Sequence, residues 1–164
     1  MPTKNSSDRE LVALAEVDIK NLSRRNFLGY LGDIRDHEVA HREFFKAALA
    51  AGAIPALELD FSSINFSSRD SVLGTAKAFE DLGVSAYNGA GKLLVSADYL
   101  LLAGKIVSVE ARHAAYIRDL IMPGTFADGL DANSLDISRS PSEVFAIAGT
   151  YIKTKLNISN LPTS

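Results

Sequence analysis

The stretch Asp98–Met122, DYLLLAGKIVSVEARHAAYIRDLIM, holds no proline until Pro123-Gly124 stops it. Steps of four, three, four and three residues along it meet Ile106, Glu110, His113, Ile117 and Leu120. That spacing is one face of an α-helix, and the apolar face of a helix is the one a protein buries. Glu110 and His113 therefore occupy positions that suit leucine or isoleucine. Glu110 is 12 residues from either end of the stretch, so the anomaly lies mid-helix. A carboxylate and an imidazole at such depth are costly unless something compensates them.

Two other stretches repeat the pattern. One runs from about Asp33, or from as early as Ser23, to Ala51 before Gly52, with the stripe Ile34, Glu38, His41, Phe45 and Ala48. The other runs from about Ser68 to Val95 behind an N-cap at Ser67-Ser68-Arg69-Asp70. Its stripe is Leu73, Ala76, Glu80, Gly83, Tyr87 and Ala90, and Gly89-Ala90-Gly91 is positioned to kink or shorten it. A fourth helix is expected over Pro141–Leu156, with Ser140 as N-cap, Pro141 in the first turn and Glu143 completing a capping box. Residues 52–67 hold two short apolar–polar runs, too short for a sheet of their own, and residues 123–139 read as surface loop. The expected fold is all-α, a helical bundle.

Composition narrows the function. Lys and Arg total 17 against 20 Asp and Glu, a net charge of −3, which does not suit a nucleic-acid binder. A hydrophobic content of 47% excludes a disordered chain. The absence of cysteine removes disulfides, thiolate metal sites and a cysteine nucleophile. The longest apolar stretch, Ala47 to Leu57, is short of a membrane span and contains Gly52 and Pro55.

Glu38 with His41, and Glu110 with His113, are three residues apart, which leaves side chains neighbouring on one helix face. Glu80 sits at matching depth on the helix between. Helical bundles hold pairs of iron or manganese ions with one Glu from each of two helices and a Glu-x-x-His from each of the other two. The candidate metal ligands are thus Glu38, His41, Glu80, Glu110 and His113, around a carboxylate-bridged dinuclear Fe or Mn site. A rival is present: His37-Glu38-Val39-Ala40-His41 is a literal zinc-protease His-Glu-x-x-His. Phe44 stands where a Gly-x-x-His extension needs glycine, and Glu58 is followed by Ser62 where a Glu-x-x-x-Asp needs its acid. Zinc also leaves Glu80, Glu110 and His113 without a role. Gly89-Ala90-Gly91-Lys92 is no phosphate loop, since Ala86 replaces the required first glycine and Leu93 follows the lysine.

Asp36-His37-Glu38-Val39-Ala40-His41, Phe79-Glu80-Asp81-Leu82-Gly83-Val84-Ser85-Ala86-Tyr87 and Val109-Glu110-Ala111-Arg112-His113-Ala114 resemble the hallmark segments of a ferritin-like family. It includes bacterial exported proteins, fungal stress-response proteins and plant desiccation-related proteins. Pro123-Gly124-Thr125-Phe126 through Ser140-Pro141 to Leu161-Pro162 is similar too. The resemblance implies a ferritin-like bundle over residues 33–164, after an N-terminal segment over 1–32. It also implies ferroxidase-like or other oxygen- or peroxide-handling chemistry in stress protection. A non-enzymatic helical interaction or stress protein with a degenerate site is the alternative.

Family members carry an additional long first helix with an embedded Glu. Here 37 residues precede Glu38 and none reads like that helix. Residues 8–22 have helical spacing, which offers Glu10, Glu16 or Asp18 as a sixth ligand. A next helix starting near Ser23, however, would leave Asp18 beside the turn, out of reach of Glu38's level. The bundle is therefore expected to be incomplete, or completed by a homo-oligomeric neighbour or a partner helix, with no nucleic acid and no membrane span. Ser23-Arg24-Arg25-Asn26-Phe27-Leu28 is similar to a twin-arginine export motif, but Gly29–Asp36 lacks the apolar stretch such a signal needs. The segment reads as an exposed basic turn in a cytoplasmic protein, or as the remnant of a signal in an exported or periplasmic one. Metal analysis of protein purified without added metal separates the readings. About two iron or manganese ions per chain are expected; about one zinc would instead favour the protease.

Overall fold

The computed structural model describes residues 19–162, with side chains from residue 29 onward. Four α-helices form among these residues: α1 (Ile19–Leu49), α2 (Arg69–Gly91), α3 (Ala97–Ile121) and α4 (Pro141–Ala148). Short 3-10 turns follow α1 at Ala50–Gly52 and α4 at Gly149–Tyr151. The all-α class holds; the described residues form two isolated antiparallel bridges and no β-ladder.

The chain divides into two units, the first ending at Ala53 and the second beginning at Ile54. In the first, α1 is 31 residues long and starts ahead of both expected positions. Ser23–Leu28 is consequently helical, not a turn. The only breakers there, Gly29 and Gly32, each cost about 1 kcal/mol against alanine, too little to end a long helix. Its stripe is half-buried at Ile34, His41, Phe45 and Ala48, while Glu38 and His37 are exposed. Glu43 anchors the outer face, and its hydrogen bonds from Lys46 and then Arg42 hold its carboxyl below the ordinary value.

The second unit is built on α2 against α3. Ser68 caps α2 by accepting the Ser71 N–H, and Ser96 caps α3 by accepting that of Tyr99. Arg69 of α2 donates to the Leu120 carbonyl of α3, whereas Gly91 at the far end of α2 faces Leu100. The two helices are therefore antiparallel. Leu73, Leu82 and Val84 of α2 and Ile106, Ala114 and Ile117 of α3 form the apolar core. Past α3, the expected stop is present: Gly124 takes φ +91°, and its N–H donates to Asp119 at 2.7 Å.

Helix α4 is shorter than expected. Its capping box forms, with Ser140 and Glu143 each accepting the other's backbone N–H, and the Ser140 bonds hold the Glu143 carboxyl below its ordinary value. Residues 152–156, however, leave the helix to run beside residues 58–60. The Asp60 N–H donates to the Tyr151 carbonyl at 2.8 Å, and that of Lys153 to Glu58 at 2.8 Å. Ile152 and Thr154 flank Lys153, and β-branched side chains suit an extended backbone. Tyr151 packs on Phe79 of α2 with ring centroids 4.7 Å apart.

The loop before α4 closes on α2 through Gly89. Arg139 donates its N–H to the Ser85 carbonyl at 3.0 Å and its guanidinium to Ser85 Oγ at 2.7 Å. A Cβ at Gly89 would collide with the Arg139 carbonyl. Gly89→Ala should thus destabilise the fold by about 1–3 kcal/mol, as overpacking does. Thermal melts should show this, whereas Gly74→Ala, which meets nothing, should raise the melting point.

Candidate metal centre

Glu80 lies in the middle of α2 and Glu110 and His113 in the middle of α3, so antiparallel packing brings them to one level. All three are buried, at 8%, 4% and 6% exposure. His113 Nδ1 is 3.3 Å from Glu80 Oε2 and 3.6 Å from Glu110 Oε2. Ligand atoms of the three side chains lie within 4.8 Å of one another. Both histidine separations exceed the roughly 2.7–2.9 Å of a charge-assisted hydrogen bond, and the three groups are close enough for one ion to be held among them.

The local reasons are visible in each helix. Glu110 and His113 share a face because they are three residues apart. Gly83, one turn beyond Glu80, leaves α2 without a side chain where Glu110 approaches; a Cβ there would stand 3.9 Å from the Glu110 carboxyl carbon. Two carboxylates for one imidazole is a hard, oxygen-rich donor set, which suits manganese and iron. The chemistry of the trio fits a divalent ion.

Glu38 and His41 form a second Glu-x-x-His on α1, in the first unit. His41 Nδ1 is 3.7 Å from Glu38 Oε1, and their side chains are 17% and 45% exposed. Their geometry within α1 is that of a pair able to share one ion. Glu10, Glu16 and Asp18 lie outside the described residues.

The stripes did not point to Asp81 and Arg118. Asp81 directly follows Glu80 and binds Arg118 of α3 at 2.7 Å. Charged residues flanking an apolar stripe read as solvated surface, and no periodicity distinguishes these two from their exposed neighbours. Tyr151 and Arg139, which also contact α2, are invisible because their partners Phe79 and Ser85 are far away in sequence.

No described helix is long and apolar enough to cross a membrane. Divalent metal should stabilise the protein: Mn(II) at about 100 times its Kd should add about 2.7 kcal/mol. Differential scanning calorimetry checks this, and Glu110→Gln should abolish the metal-dependent shift. Searches of curated proteins and of solved structures gave no match. A family model described as a ferritin-like domain matches residues 4–123, taking in α1, α2 and α3. With well over half of its length matched and a buried carboxylate–histidine group between its paired helices, the chain belongs to the ferritin-like domain family.

Proposed function

We propose that the protein holds two iron or manganese ions, with Glu38, His41, Glu80, Glu110 and His113 as ligands. They would serve ferroxidase-like or other oxygen- or peroxide-handling chemistry in stress protection. The observation that carries this reading is the buried Glu80–Glu110–His113 trio in a chain of this family. Bound metal would supply the one-electron redox steps that side chains alone cannot provide. Glu80 and Glu110 would each offer two oxygens, enough to bridge a pair of ions, and His113 would offer Nδ1. Their burial holds the rotamers fixed and keeps bulk water away, which strengthens every interaction inside the site. Glu38 and His41 would bring the second Glu-x-x-His that dinuclear bundle sites use. With five ligands named, a sixth would come from Glu10, Glu16 or Asp18, from another copy of this chain, or from a partner helix.

Zinc at His37-Glu38-Val39-Ala40-His41 is the weaker proposal. His37 is exposed, and the described residues contain no strand to cradle a peptide. A second reading, a helical interaction protein without catalysis, draws on exposed Val95, Tyr99 and Leu101 near the start of α3.

Stopped-flow absorbance after mixing Fe(II)-loaded protein with oxygen tests the activity. Oxidation should outpace that of free Fe(II) in the same buffer. His41→Ala and His113→Ala should each slow it, while His37→Ala should have less effect. Oxidation at the free-ion rate, in protein shown to be loaded, would leave a metal-binding bundle without this chemistry.

A further inference from the structure

We propose that Asp81 and Arg118 are positioning residues for the metal centre, an ion pair that holds α2 and α3 in the register at which Glu80 meets His113; the inference rests on the metal-binding reading above. Asp81 is the residue after Glu80, and Arg118 is five residues after His113. Arg118 crosses from α3 to α2 and reaches Asp81 at 2.7 Å, with the two side chains only 12% and 24% exposed. Such a pair is not the fully solvated kind that contributes nothing measurable. Lys77, one turn earlier on α2, approaches the other Asp81 oxygen at 3.5 Å.

The backbone of Arg118 is itself held in place. Its carbonyl accepts the Met122 N–H at 3.0 Å and the Thr125 hydroxyl at 2.9 Å. Its guanidinium lies against Gly129, where φ is +86° and a Cβ would stand 2.9 Å from Nη2. The positive φ favours glycine at that position. The loop after α3 therefore fixes the Arg118 backbone and lies beside its guanidinium, Arg118 pairs with Asp81, and Asp81 is covalently next to a proposed ligand. A slip of one turn would carry Glu80 about 5.4 Å along the axis, more than its whole 3.3 Å separation from His113.

The test uses the full-length protein stripped of metal and titrated with Co(II), read by calorimetry, by the visible Co(II) absorption and by thermal melting. Asp81→Asn keeps shape and removes charge; Arg118→Lys keeps charge and removes the planar fork. Each is expected to weaken Co(II) binding about tenfold, the low end of what loss of an orienting contact around a metal costs, because the pair acts on the ligands only through helix register, and to alter the visible bands. The exchanged pair, Asp81→Arg with Arg118→Asp, is expected to recover part of the affinity. Lowered melting points with wild-type Co(II) affinity and spectrum in both single variants would make the pair a structural brace only and overturn the proposal. If the wild-type protein takes up no Co(II), Fe(II) or Mn(II), the metal reading itself fails and this inference falls with it, an outcome distinguished by the parent chain before any variant is compared.

Discussion

Two carboxylates and an imidazole sit at one buried level between α2 and α3, and the second unit is organised around tolerating them. Buried acids of like charge repel, and the low-dielectric surroundings make that repulsion expensive. A core of Leu73, Leu82, Ile106, Ala114 and Ile117 supplies the favourable burial that offsets it. The apolar layers lie on both sides of the polar level along each helix. The helices can then be held by ordinary packing while the middle of their interface carries the polar trio.

Holding that level requires more than two amphipathic stripes. Apolar packing tolerates a sliding helix; a ligand set does not, because donor atoms must stay within a few ångströms of one point. The structure has directional contacts along the interface: Arg69 to the Leu120 carbonyl and Arg118 to Asp81. Each depends on a particular pairing of residues, so together they exclude neighbouring registers.

The segment after α3 lies outside the family match, yet it secures α2. Arg139 grips the buried Ser85 where Gly89 gives the backbone room, and Tyr151 covers Phe79. Phe61 joins the same aromatic group, with ring centroids 6.3 Å from each of the other two. The chain thus also fastens the helix bearing Glu80 through residues outside α3. Continuing α4 to Leu156 would have removed the extended residues that pair with Glu58 and Asp60.

Helix identity, capping and the ligand candidates were legible in the sequence because they are local. Ile106, Glu110, His113 and Ile117 declared their shared face through spacing alone, and Ser140 with Glu143 declared a helix start. The family was legible for a related reason: the resemblance rests on short contiguous segments around Glu38, Glu80 and Glu110. Other features were settled by tertiary structure. The start of α1 at Ile19 was hidden because its glycines resemble a turn and nothing nearby marks an end. The early end of α4 was hidden because its competitor, the strand-like pairing with residues 58–60, lies about ninety positions away. Asp81 and Arg118 carry no sign of each other in the sequence; the antiparallel packing of α2 on α3 brings them together. Periodicity states which face of a helix turns inward; only packing decides which residue of another helix meets it, because that partner is set by register and not by spacing along one chain.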